Sequence, residues 1–159
     1  MQIVSMTLSK PRNAQTPRNA PETTPAYTLD TQVGYLLRRA TQRHLTIFAE
    51  NIPDLTPTQF AALCKLDEFG AVSQNELGRK TSMDAATIKG VVDRLRKRDL
   101  VLSTPDGNDK RRIVVEITAL GRATYTEYLA AALKISEQTL APLSKAERAV
   151  FIALLTKLT

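Results

Sequence analysis

Apolar residues recur at helical spacing through most of the chain, and the polar residues between them mark where each helix begins and ends. Val33, Leu36, Leu37, Leu45 and Phe48 share that spacing, which predicts a first helix from about Asp30 to Asn51. Thr56-Pro57-Thr58-Gln59 reads as a capping box with proline at the first helical position, and that helix should stop at Gly70. Ser73-Gln74-Asn75-Glu76 reads as a second capping box, opening a short helix to about Lys80. Asp84 is a suitable N-cap for a helix reaching about Arg98, on which Ile88, Val91, Val92 and Leu95 form one stripe that must face a core. A strand near Leu100–Thr104, the turn Asp106-Gly107-Asn108-Asp109 and a strand near Arg111–Ile117 follow. Thr118 would cap a long helix to about Leu140, and Ser144-Lys145-Ala146-Glu147 opens the last one.

The predicted order is α-α-α-α-β-β-α-α: mainly α, with a small β-hairpin. Two helices joined by a short turn and followed by a hairpin make a winged helix-turn-helix, in which the second helix enters a DNA major groove. Residues 28–159 then form a single domain, with the winged helix-turn-helix at about 57–117. The helices at about 30–51, 119–140 and 145–158 carry more apolar surface than a lone winged helix can cover, which predicts a helical dimerisation layer and a homodimer. Residues 1–27 differ in kind. "KPRNAQTPRNAPETTP" holds four of the eight prolines and repeats "PRNA", so a flexible, mildly basic tail is expected.

Charge sharpens the picture. The chain of 159 residues carries a formal net charge of +6, which favours a polyanionic partner. Between Lys89 and Arg112 there are eight Lys or Arg against four Asp or Glu. On the predicted second helix, Ala86, Gly90, Asp93 and Lys97 lie opposite the apolar stripe, flanked by Lys89 and Arg94. Small side chains at Ala86 and Gly90 let a backbone sit deep in a groove, and the cations can reach phosphates. The candidate DNA-facing set is therefore Ser82, Asp84, Ala85, Ala86, Thr87, Lys89, Gly90, Arg94 and Lys97. Asp109, Lys110, Arg111 and Arg112 form the wing tip, aimed at phosphates or a narrow minor groove. Taken singly, a charged hairpin tip or a basic helix face is only solvated surface; the helix order around them is what favours double-stranded DNA.

The stretch "DKRRIVVEITALG" resembles the wing signature of the multiple antibiotic resistance regulators, the MarR family, and "NELGRKTSMDAATIKGVVDRLRKRDLV" resembles their helix-turn-helix. Asp109, Arg111, Thr118 and Gly121 match in place, with Lys110 and Ile117 as mild substitutions, and the resemblance covers about residues 30–158. It implies that Arg111 enters the minor groove and that Asp109 orients it. Two positions depart: Asp99 stands where the family often has glycine, and Ser103 where it often has arginine, which puts a phosphate contact from residue 103 in question. The resemblance also implies a dimeric repressor reading a pseudo-palindromic operator.

"TLDTQVGYLLRRATQRH" and "MDAATIKGVVDRL" are similar to the branch that represses aromatic-acid breakdown genes, nicotinate catabolism in particular. In the family's aromatic-acid responders, an arginine and a histidine six residues apart on the first helix contact the ligand, and Arg38 and His44 have that spacing. Six residues are about 240° on a helix, so the two would bracket a ligand from different faces. Arginine can hold a carboxylate bidentately, and histidine can serve a ring hydroxyl or nitrogen. Tyr35 and Gln59 are weaker candidates, Arg39 and Arg43 rivals to Arg38. Against this, His44 can be a satisfied interfacial histidine and Arg38 the partner of an acid across a dimer. A small aromatic carboxylic acid such as a hydroxynicotinate or hydroxybenzoate is the expected inducer.

Other chemistries find little support. One cysteine excludes an internal disulfide. Cys64, among Phe60, Leu63 and Leu66, should be a buried, inert thiol. HExxH, GxSxG, GxGxxG and P-loop patterns are absent and "DGND" lacks the alternating acids of a calcium loop, so neither an enzyme, a metal site nor a cofactor is expected. The chain has no apolar run of membrane-spanning length and no signal-peptide stretch, from which no membrane contact and a cytoplasmic location are expected. A winged-helix protein-interaction module that never touches DNA is the alternative, and steep salt dependence of DNA binding would decide between them.

Overall fold

The computed structural model describes residues 27–159, so all but the last residue of the expected basic tail lies outside the described residues. A 3-10 turn at Leu29–Thr31 precedes helix α1, Val33–Asn51. α1 starts three residues later than its apolar spacing predicted. Gln32, at its N-cap, makes no side-chain capping bond; its Nε2 donates instead to the Thr28 carbonyl at 3.0 Å. Without a Ser, Thr, Asp or Asn cap, periodicity alone marks a boundary poorly.

Wherever a cap was readable, it operates. Helix α2, Pro57–Phe69, opens on a complete capping box: Thr56 Oγ1 accepts from the Gln59 amide at 3.2 Å and Gln59 Oε1 accepts from the Thr56 amide at 2.9 Å. It ends at Gly70, whose φ of 72° only glycine adopts without strain. Strand β1, Val72–Ser73, leads into helix α3, Gln74–Lys80. Here only half of the predicted box forms. Ser73 Oγ accepts from the Glu76 amide at 3.3 Å, but the Glu76 carboxylate turns to Lys80 Nζ at 3.6 Å rather than back to the cap. Helix α4, Ala85–Arg96, opens on Asp84, which accepts from the Thr87 amide at 2.7 Å.

α4 ends two residues before the predicted Arg98. Asp99 adopts φ 57°, the left-handed conformation of a helix stop, and the Leu100 amide donates back to the Leu95 carbonyl at 3.0 Å. That conformation explains why glycine suits this position. Strands β2, Val101–Pro105, and β3, Ile113–Ile117, form the hairpin. β3 begins at Ile113 rather than Arg111 because Arg111 and Arg112 belong to the turn, where the Arg112 amide donates to the Asp109 carbonyl at 2.9 Å. Helix α5, Ala119–Thr139, is capped by Thr118, and helix α6, Lys145–Thr156, by a complete Ser144–Glu147 box.

The sheet has three antiparallel strands in the order β1-β3-β2, so the predicted two-stranded hairpin gains an edge strand. Val72 lies opposite Val115, and Val101 opposite Ile117. Two residues with no alternation of their own gave no strand signal; β1 exists because β3 offers it a free edge. Among the fully buried side chains are Leu63, Leu66, Leu77, Ile88, Val91, Leu95, Val101 and Val115, contributed by α2, α3, α4 and the sheet. The predicted core stripe of α4 is thus buried. Gly121, at the third position of α5, lets that helix pass against the start of β2. A Cβ there would run into the Leu100 carbonyl oxygen and approach Ile117 Cγ1 to 2.9 Å.

Candidate functional site

α4 presents the face opposite its core stripe to solvent: Asp84, Ala85, Ala86, Thr87, Lys89, Arg94 and Lys97 are exposed, Gly90 partly so. Ser82, exposed in the turn before α4, has a φ of 53°. Asp84 is occupied with capping. The Thr87 amide holds its carboxyl below the usual aspartate range, so it remains an anion on this face and orders the first turn of α4. The Arg94 guanidinium lies across Gly90, 3.5 Å from where a Cβ would stand. The small residue therefore makes room for a cation of its own helix as well as for a groove.

The wing tip is a tightly bonded turn. Asp106 Oδ1 accepts from the Asn108 amide at 2.8 Å, and Asp109 Oδ1 accepts from the Arg111 amide at 3.0 Å. Asp109 thus acts on Arg111 through the backbone; its carboxylate is not paired with the Arg111 guanidinium. Arg112 is drawn back, with Nε 3.6 Å from Asp106 Oδ2. Lys110 and Arg111 are exposed and make no ion pair among the described residues. Ser103, partly buried on β2, is not basic and stays within the sheet. A polar cleft of about 410 Å³ separates the wing from α3, with Arg79, Arg111 and Arg112 on its walls beside Glu76 and Asp109. Arg79 was not picked out in the sequence. Its nearness to the wing follows from β1 pairing with β3, which periodicity could not reveal.

A second region lies where α1, α2 and α5 meet. His44, Phe48, Pro57, Phe60, Ala132, Ile135 and Ser136 line a cavity of about 270 Å³. Its rings are in contact: the His44 and Phe48 centroids are 6.3 Å apart, and those of Phe48 and Phe60 6.2 Å apart in an edge-on arrangement. On its other side His44 borders an open apolar groove of about 370 Å³, walled by Leu37 and Ala40 of α1, Leu140, and Phe151, Ile152 and Leu155 of α6. His44 Nδ1 lies 3.0 Å from Thr139 Oγ1, while Nε2 has no partner among the described residues.

The other ligand candidates are not gathered there. Arg38 and Arg39 both lie over the Tyr35 ring, at 5.2 and 5.8 Å, on the exposed N-terminal part of α1. Neither arginine nor Tyr35 lines the cavity. Arg43 is engaged with the last carbonyls of α5. Gln59 is buried but committed to its capping box. Cys64 is half-buried rather than buried and receives the Tyr125 hydroxyl at 3.8 Å; burial, first, and that contact push the Tyr125 phenol up.

The two regions are joined by the connector between α1 and α2. Asp54 accepts the Tyr128 hydroxyl of α5 at 2.8 Å, a bond that raises the Tyr128 phenol above its usual value, and its carbonyl receives the Arg98 guanidinium from beyond α4. Among the described residues no helix is long and apolar enough to cross a membrane, and no group of three metal-binding side chains occurs.

Residues 55–113 match the family model described as MarR family. The HTH-type transcriptional repressor NicR of Pseudomonas putida is 42% identical over 145 residues, covering 90% of this chain and 92% of its own. The chain belongs to the MarR family. A probable transcriptional regulator from Pseudomonas aeruginosa is 50% identical with a TM-score of 0.80, over 83% of this chain and all of its own. BpsR of Bordetella bronchiseptica, whose DNA binding is regulated by 6-hydroxynicotinic acid, is 41% identical with a TM-score of 0.79, over 84% and 96% of the two chains. The chain is a MarR-family transcriptional regulator, similar over most of its length to other regulators.

Proposed function

We propose that this protein is a homodimeric repressor that binds a pseudo-palindromic operator and leaves it when a small aromatic carboxylic acid, a hydroxynicotinate or hydroxybenzoate, occupies the cavity at His44. The DNA half of the reading is supported by the exposed α4 face and wing together with family membership. Two copies related by a two-fold axis would set their α4 helices in successive major grooves, with half-sites about 10 base pairs apart.

The ligand half is carried by one observation: a partly buried imidazole with a free nitrogen on the wall of an aromatic cavity. Phe48 and Phe60 suit a planar ring, and Nε2 suits a ring hydroxyl or nitrogen. The cavity holds no cation for a carboxylate. We assign that role to Arg38, which must leave Tyr35 or reach in from a second copy. Release requires the acid to bind the DNA-incompetent arrangement more tightly than the competent one. α1 and α5 enclose the cavity and also carry the exposed apolar residues Val33, Leu36 and Leu133, so a ligand there can change how two copies are spaced.

The test is operator binding at increasing 6-hydroxynicotinate for wild type, His44→Ala and Arg38→Ala. Both variants should bind DNA as wild type does and lose most of the response, since each removes a ligand contact and no DNA contact. Release of all three at one acid concentration would place the pocket elsewhere.

A further inference from the structure

The C-terminus of α5 is fastened to α1 by three neighbouring contacts. Arg43 donates to the Thr139 and Gln138 carbonyls at 3.2 and 2.9 Å, and Asn51 Nδ2 donates to Gln138 Oε1 at 3.0 Å. The Arg43 bonds satisfy carbonyls that every helix end leaves open, and a guanidinium suits the negative end of the helix dipole. The third contact, His44 Nδ1 with Thr139 Oγ1 at 3.0 Å, is, like the Asn51 bond, between side chains. It leaves the helix carbonyls untouched, because it engages a side-chain hydroxyl.

That hydroxyl is used differently from others in the molecule. Thr46, Thr124, Thr126 and Thr156 each turn theirs onto the carbonyl four residues back, at 2.8 to 3.1 Å. Thr139, at the end of α5, gives its hydroxyl to His44 across the helix pair. An imidazole has its two nitrogens on different edges, so holding one fixes the direction of the other. A threonine hydroxyl both donates and accepts, so it can hold the ring whichever nitrogen carries the proton.

We propose that Thr139 is the positioning residue of the acid-binding site: its hydroxyl holds the His44 imidazole so that Nε2 is presented to the ligand. This rests on the reading of His44 given above. An unheld ring would have to be ordered by the ligand itself, a cost that corresponds to roughly three- to tenfold in affinity. Thr139 touches no ligand in this account; it acts through His44 alone.

The experiment uses the full chain, its operator DNA and 6-hydroxynicotinate, with Thr139→Val and Thr139→Ser; Thr139→Ala serves if valine is not accepted by the fold. Valine keeps the shape and removes the hydroxyl, so the acid concentration for half-release should rise about three- to tenfold. Serine restores the hydroxyl and should restore the wild-type curve, with melting temperature and acid-free operator affinity as controls. A valine curve that superimposes on wild type overturns the proposal, as does a serine variant no better than valine. If wild type itself ignores the acid, the reading of the site fails, and ¹⁵N spectra of the imidazole decide the role of Thr139. An imidazole held in one orientation in wild type, giving way to rotational averaging in the valine variant, supports it; identical spectra overturn it.

Discussion

Helices α4 and α6 are each twelve residues long and similarly supplied with apolar side chains, but their environments differ. α4 places Ile88, Val91, Val92 and Leu95 at no more than 1% exposure, against partners from α2, α3 and the sheet. α6 buries no residue, and Val150 and Leu154, four apart on one stripe, stand 58 and 54% exposed. The winged lobe is therefore finished by its own chain, whereas the helical layer is not. Burying a leucine is worth about 1.5 to 3 kcal/mol, so a stripe of this kind has a strong reason to meet a second copy.

Four substitutions probe that contrast, beginning with the largest expected effect. Leu154→Asp should leave each chain folded but weaken self-association about a thousandfold. A two-fold interface loses the contact twice, for a total of about 4 kcal/mol. Sedimentation across a dilution series reads this directly, and a variant that associates as wild type does would remove α6 from the interface. Gly121→Ala attacks the finished lobe instead. With the Leu100 carbonyl in the way, something must shift, and urea unfolding should show a loss of about 3 kcal/mol. A loss below about 1 kcal/mol would mean that α5 can swing away from β2 freely.

Arg111→Ala should cost neither folding nor association. Operator affinity should fall by about tenfold at moderate salt, and the slope of log affinity against log salt should flatten by about one. An unchanged slope in an anisotropy titration would take the wing out of DNA contact. Asp99→Gly is the mildest: relief of a left-handed non-glycine residue should raise stability by up to about 1 kcal/mol. A decrease would show that the aspartate side chain contributes something its backbone geometry does not.

What was legible in the sequence was whatever neighbouring residues decide among themselves. Thr56, Ser73, Asp84, Thr118 and Ser144 were all readable as caps, and each accepts from the amide three residues on. A cap needs only its own first turn, so it survives any tertiary arrangement. The start of α1, with no such cap, was misplaced. The apolar stripe of α4 and the turn at Asp106 to Asp109 were readable for the same local reason. The glycine at position 121 could be marked from its place in a motif, but the carbonyl that forbids a side chain there belongs to Leu100, across the fold.

The amino-acid order by itself determined the helices, their caps, the hairpin and the basic bias of one face, because hydrogen bonds and periodicities a few residues long settle those. Only the tertiary structure decided which side chains share a space. It added β1 to the sheet and so brought Arg79 to the wing. It spent Arg43 on the end of α5 and left Arg38 on Tyr35, outside the cavity at His44, although the family resemblance had implied that Arg38 and His44 contact one ligand. It joined His44 to a threonine 95 positions away. Spacing along a helix gives an angle and a rise, but the partner across the gap depends on how two helices cross, and that is set by the packing of everything between them.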